Sequence, residues 1–273
     1  MDLTSLLADA VKQHASDMFI SVNAPPMVKV EGMMQPIYDD ASPLDTELNR
    51  SLIYSALNDR ETVTFEETLE LNKSLYVPSV GRFRVNVFQQ RGEPALVARH
   101  IKDKIPSLKS LGLPDALKDL IMEERGLLLV VGGTGTGKST TLAAMIDYRN
   151  ATHPGHILTI EDPIEFIYEN KKALVNQREV GMDTLTFDDA LVNAMREAPD
   201  VILIGEIRDQ STMKQALSYA ETGHLCLATL HANNANQAID RIINFFPDEA
   251  HKQILQDLSL NIKAVISQRL CLG

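Results

Sequence analysis

Gly132-Gly133-Thr134-Gly135-Thr136-Gly137-Lys138-Ser139-Thr140 follows the apolar run Leu127 to Val131 and precedes the helix-like Thr141-Leu142-Ala143-Ala144-Met145-Ile146. The stretch satisfies G-x4-G-K-[ST] in full, in the order strand, glycine loop, helix that gives the motif its meaning. Successive backbone N–H groups in such a turn point inward at a phosphate chain. The next helix adds its unpaired first donors and partial positive charge. Gly132, Gly133, Thr134, Gly135, Thr136 and Gly137 therefore form an anion cradle. Lys138 would reach the β- and γ-phosphates, and the Ser139 hydroxyl, followed by Thr140, would hold one position on Mg2+.

Working outward, the pattern after about residue 115 repeats helix, apolar strand and loop, which predicts an α/β domain with a mostly parallel sheet covered by helices. Strands are expected at Leu127 to Val131, His156 to Ile160, Val201 to Ile204 and Leu225 to Leu230. Thr186, with an acid three residues on at Asp189, opens a helix that Pro199 stops. In the last segment Ile254, Leu258, Ile262, Val265, Ile266 and Leu270 are expected on one helical face.

Residues 1–104 read as a smaller α+β domain. Leu3, Leu6, Leu7, Ala10 and Val11 recur at helical spacing, and Leu48, Leu52, Ile53 and Leu57 suggest a second helix. Short strands flank the Asn23-Ala24-Pro25-Pro26 turn, and Thr62 to Tyr76 holds at least one more. Arg82-Phe83-Arg84-Val85-Asn86-Val87 alternates strictly, so its Arg and Asn side chains share one face of a strand. A further strand, Ala95 to Ile101, carries Arg99. Residues 105–114, with Pro106, Gly112 and Pro114, read as the linker to the larger domain, 115–273.

With 273 residues, 44% hydrophobic and 23% charged, the chain has the composition of a soluble protein with a sizeable core. Cys226 and Cys271 sit in apolar surroundings far apart, which suits buried thiols in the cytosol better than a disulfide framework. No leader-like or membrane-spanning stretch is visible. A net charge of −11 argues against coating nucleic acid. The charge is uneven, however. Residues 80 to 110 hold seven basic and two acidic side chains, a local +5 that leaves −16 for the remainder and implies a positive surface in the first domain.

Hydrolysis of a nucleotide needs a carboxylate for the metal or its water shell, a group that positions the attacking water, and a cation for charge on the γ-phosphate. The strand ends supply candidates: Glu161, Asp162 and Glu165 after the second strand, Glu206 after the third. His224 and His231 bracket the fourth strand and lie roughly 23 Å apart if it is extended. They cannot share a metal, and His231, at the carboxyl end, is the better placed to sense a γ-phosphate.

Gly132 to Thr140, Thr159 to Glu165, Ile204 to Asp209 and Thr222 to His231 resemble, in order and spacing, the Walker A, Asp box, Walker B and His box motifs of the secretion-superfamily ATPases. Lys171 to Glu179 and Ile266 to Leu270 further resemble the type IV pilus retraction branch, the PilT/PilU family, with Ala15 to Ser21 and Ala24 to Val30 nearer its PilU side. The resemblance implies a toroidal homo-hexamer in which a PAS-like N-terminal domain joins a RecA-like P-loop NTPase core, with ATP and Mg2+ between them. It also implies work at the cytoplasmic face of the inner membrane, with a pilus platform protein and a paralogous retraction ATPase as partners and no nucleic acid.

By position, Glu165 matches the catalytic glutamate, Glu206 the Walker B acid, and His224 and His231 the His box. Arg82, Arg84 and Arg99 match the arginine-bearing strands that close over the phosphates, without the resemblance saying which is the finger. It leaves open a motor subunit or an accessory acting through a partner ATPase. The family's chain normally continues past a position like Gly273, so a shortened form that folds and binds nucleotide without pulling is expected.

Overall fold

The computed structural model describes residues 2–101 and 104–270. Cys271, read above as a buried thiol, and Lys102 and Asp103 of the basic window lie outside the described residues. The chain divides into two compact units, Met1–Asp103 and Lys104–Gly273.

In the first unit, α1 (Leu3–Lys12) is N-capped by Asp2, whose carboxylate accepts from the Ser5 N–H at 2.9 Å, and buries Leu3, Leu6, Leu7 and Ala10. Strands β1 (Asp17–Ile20), β2 (Met27–Val30) and β3 (Met33–Pro36) precede helices α2 (Thr46–Tyr54) and α3 (Asp59–Thr68). The strands β4 (Glu70–Val77), β5 (Gly81–Gln90) and β6 (Glu93–Ile101) follow. All pair antiparallel in the order β3-β2-β1-β6-β5-β4. The segment from Thr62 to Tyr76 is split between α3 and β4. A reciprocal capping box, Asn58 with Glu61, starts α3, and Leu69 in the left-handed region at φ 65° ends it. The alternation of β5 holds: Phe83, Val85 and Val87 are buried while Arg82, Arg84 and Asn86 face the other way.

The second unit is a six-stranded parallel sheet. Its elements are α4 (Ala116–Ile121), β7 (Gly126–Val131), α5 (Lys138–Thr152), β8 (Gly155–Glu161), β9 (Ala173–Glu179), α6 (Phe187–Ala194) and β10 (Val201–Ile204), then α7 (Gln210–Glu221), β11 (Leu225–Leu230), α8 (Ala235–Ile243), α9 (His251–Asn261) and β12 (Ile262–Ser267). Strand order is β12-β7-β11-β10-β8-β9, with every pairing parallel. Strand β7 is buried along its whole length and feeds two cores. Leu127, Leu129 and Val131 join one face with Ala190 of α6, Ala216 of α7 and Ile254 of α9, and Leu128 and Val130 join the other with Leu117 of α4 and Ile146 of α5. Helices thus cover both faces, as fully apolar parallel strands require. Leu108 of the 105–114 segment is buried in the α4/α5 core, so that stretch packs on the second unit.

The C-terminal segment corrects the sequence reading. The helix stops at Asn261, and Ile262–Ser267 is the edge strand β12 beside β7. Ile262 and Val265 pack toward one core, Ala264 and Ile266 toward the other, with a register shift between Ile262 and Ala264. A short β-branched run joined to a helix imitates a longer 3.6-residue repeat, and the unpaired edge of β7 decides the matter. Strands β3 and β9 also had no counterpart among the expected ones. In the 8-residue helix α6 the expected cap is in place, Thr186 Oγ1 accepting from the Asp189 N–H at 3.0 Å. Among the described residues no helix is long and apolar enough to cross a membrane.

Candidate active site

The carboxyl ends of β7, β8, β10 and β11 open on a cavity of about 380 Å3. Open α/β sheets bind ligands at this edge. The glycine loop leads from β7 into α5, whose first helical bond runs from the Thr141 N–H to Gly137 O at 2.9 Å. The N–H groups of Lys138, Ser139 and Thr140 therefore have no intrahelical partner and face the loop side of the helix. Gly135 and Gly137 hold φ of 76° and 87°, a backbone that only glycine adopts without strain. A side chain at Gly132 would lie 2.6 Å from the carbonyl oxygen of Gln268 and from Thr136 Oγ1, so Gly132 is needed for close approach.

Of the loop, Thr134, Gly135, Gly137, Lys138, Ser139 and Thr140 line the cavity. Gly132, Gly133 and Thr136 shape it instead. Lys138 Nζ donates to Gly132 O at 3.0 Å and to Gly133 O at 2.9 Å, and Thr136 Oγ1 donates to Gly133 O at 2.9 Å. Lys138 is 9% exposed, and burial pulls its ammonium below the ordinary range, opposed by Glu206 and then Glu165. Behind the loop, Gln268 extends the β12 ladder by donating its N–H to Val131 O at 2.8 Å, and its Oε1 accepts from Thr141 Oγ1 at 2.9 Å. Sequence reading missed that support. Gln268 lies far from the loop in the chain, and only the edge strand brings it there.

Facing the loop are the acidic groups. Glu165 is exposed and lines the cavity with Glu161, Asp162 and Glu206. Glu161 is half-buried at the end of β8. Burial pushes its carboxyl up to about 7, against the bonds it accepts from Thr159 Oγ1 at 2.6 Å and Gln177 Nε2 at 3.3 Å. A carboxyl raised on folding binds a proton that the unfolded chain has already released, so its stabilising share is lost as pH rises from about 4.5 to about 7. Glu161→Gln is expected to leave the stability read by urea unfolding unchanged at pH 4 and to raise it at pH 8 by on the order of 1–2 kcal/mol, solvent at the half-buried side chain having been allowed for.

Glu206 is held by its backbone on both sides. The Gly205 N–H donates to Ile160 O at 2.8 Å, Thr229 Oγ1 donates to Gly205 O at 2.6 Å, and the Ile207 N–H donates to Thr229 O at 2.9 Å. Its carboxylate accepts from Arg208 Nε at 2.7 Å, and His231 Nε2 lies 3.0 Å from its other oxygen. Arg208 Nη1 also reaches Asp162 Oδ2 at 3.2 Å. His224 lies at the opposite end of β11, where its Nδ1 is 3.1 Å from Thr222 Oγ1 and its ring meets Tyr219 edge-on.

The three arginines belong to the first unit, on one face of its sheet. Arg84 stands directly opposite Arg99 across β5 and β6, Arg99 Nε donates to the buried Asp17 at 2.7 Å, and Arg82 Nη1 donates to Ser74 Oγ at 3.4 Å. Among the described residues Arg84 has no ion-pair partner. The Cys226 thiol is buried in β11, and burial raises its pKa, so it is inert.

A glycine loop at a helix N-terminus, a buried lysine and a set of carboxylates at the ends of parallel strands define a RecA-like P-loop NTPase. The chain matches the family described as type II/IV secretion system protein over residues 1–272. It is 50% identical to the type IV pilus ATPase PilU of Pseudomonas aeruginosa over 99% of this chain and 70% of that one, and 49% identical to PilT of the same organism over 99% and 78%. A crystal structure of the pilus retraction motor PilT with bound ADP superposes with a TM-score of 0.94 at 44% identity, covering 98% of this chain and 78% of that chain. The chain is an ATPase of the type II/IV secretion family and belongs to its type IV pilus retraction branch. The cleft fits the magnesium form of a nucleotide, because the Ser139 hydroxyl and the nearby carboxylates are the hard oxygen donors that Mg2+ takes.

Proposed function

We propose that this chain is an ATPase motor subunit that powers type IV pilus retraction as part of a homo-hexamer, at the cytoplasmic face of the inner membrane and against a platform protein there. The observation that carries the reading is the assembly, in one cleft of the second unit, of the glycine loop with Lys138, Ser139, Glu165, Glu206 and His231. Likeness to both PilT and PilU supports it. The loop N–H groups and Lys138 bind the phosphates of ATP. Ser139 and Glu206 would hold magnesium, which when bound neutralises charge on the β- and γ-oxygens. Glu165 positions and activates the attacking water, His231 reads the γ-phosphate through its contact with Glu206, and Arg82, Arg84 and Arg99 supply cations for the charge that builds during transfer.

A motor subunit is expected to hydrolyse ATP alone, without nucleic acid, and to run as a hexamer by light scattering in the presence of ATP. ATPase activity detectable only after adding a partner retraction ATPase would assign it instead to an accessory role exercised by docking. Stimulation by DNA together with salt-sensitive DNA binding would point to a translocase, which the charge of −11 opposes.

A further inference from the structure

The backbone around Glu206 is fixed on both flanks, but nothing in that backbone decides where the carboxylate points. Two side chains do. Arg208 Nε holds one carboxylate oxygen at 2.7 Å, and His231 Nε2 stands 3.0 Å from the other. The same guanidinium reaches across to Asp162 Oδ2 at 3.2 Å, on the loop that leaves β8. Arg208 thus joins the ends of two neighbouring strands, and through Glu206 it is connected to the end of a third, β11. All four side chains line the cavity.

The segment that carries Arg208 is itself rigid. Gly205 is pressed against β8 so closely that an added Cβ would lie 3.2 Å from Glu161 Cα, Ile207 is fully buried, and Asp209 caps α7 by accepting from the Thr212 N–H at 2.8 Å. The Arg208 side chain is 52% exposed, and an exposed ion pair contributes little to folding. A planar guanidinium directed at two carboxylates on different loops, by contrast, fixes geometry that a point charge does not.

We propose that Arg208 is a positioning residue for the hydrolysis reaction, holding the Glu206 carboxylate in register with His231 and tying it to the Asp162 loop. The inference rests on the ATPase reading of the same cleft. Its effect lies in orientation. With the clamp removed, Glu206 rotates about its own side-chain bonds while the phosphate cradle, built from other residues, stays as it was. Small misplacements of such groups cost large factors in rate and little in ground-state binding.

The test compares Arg208→Gln, Arg208→Lys, Asp162→Asn and the Arg208→Gln/Asp162→Asn pair by steady-state ATPase, ADP titration calorimetry and urea unfolding. Arg208→Gln is expected to lower kcat by about 10–100-fold, with the ADP Kd changed less than about threefold and the urea midpoint unmoved. Arg208→Lys should recover part of the loss. Asp162→Asn should cost less than Arg208→Gln and add nothing in the double variant, because both act through one clamp. Unchanged kcat in Arg208→Gln overturns the proposal, as do additive losses in the double variant. A Kd that rises by the factor by which kcat falls also overturns it, since Arg208 would then be a direct nucleotide ligand. Failure of the parent reading looks different: the unaltered protein would then bind no ADP in the calorimeter, whatever Arg208 does.

Discussion

Lys138→Ala is expected to lower ATPase turnover by about 10²–10³-fold, the usual cost of deleting one preorganised charge or donor from a water-poor site. Two features support a loss at that scale. The ammonium is 9% exposed, so its field is screened little, and its two bonds to Gly132 O and Gly133 O brace the loop proposed to cradle the phosphates. Removing the side chain deletes a charge and loosens the cradle together, so ADP affinity should fall as well as kcat. Turnover of Lys138→Ala within threefold of the unaltered protein would remove the glycine loop from the reaction. A folded-state control is simple: deleting a charge whose burial already disfavours it should not lower the unfolding free energy by more than about 1 kcal/mol.

Glu165→Gln is the second large effect, and its signature is the opposite split. Glu165 is exposed, lines the cleft opposite the loop and touches none of the bonds that shape the cradle. Neutralising it should lower kcat by about 10²–10⁴-fold, the range that general base catalysis supplies, while ADP binding changes little. The neighbouring Glu161 sharpens the experiment. Its raised carboxyl also lines the cleft, so if it were the base, Glu161→Gln would show the kinetic loss and Glu165→Gln would not. Titration calorimetry beside single-turnover hydrolysis separates the outcomes.

How far the sequence announced this arrangement depends on the range of each signal. The glycine loop, its strand and its helix are contiguous, so their meaning is local and was legible residue by residue. The strand-end acids were legible because each follows an apolar run. The alternation of Arg82, Phe83, Arg84 and Val85 named the faces of β5 in advance. What escaped was non-local. Arg208 was visible as part of a motif, but its reach to Asp162 exists only because β8 and β10 are neighbours in the sheet. Gln268 reaches the loop only through β12, and β12 was hidden inside a helical repeat because Ile262, Val265 and Ile266 fall at helical spacing while the register shift between Ile262 and Ala264 breaks the two-residue alternation of the strand. Strand β9 follows β8 without an intervening helix, so the alternation that revealed the other strands was missing there.

Edge strand β12 gives the nucleotide loop a mechanical boundary. Val131 is the last residue before the glycines, and its carbonyl is tied to Gln268, while the backbone of Gln268 lies against Gly132 and its side chain reaches Thr141 at the base of α5. One residue thus touches the entrance, the turn and the exit of the loop. A strand held by a neighbour on one side only is the cheapest part of a sheet to displace. The loop's shape and the seating of that strand are therefore set together, since Gln268 fixes all three points at once.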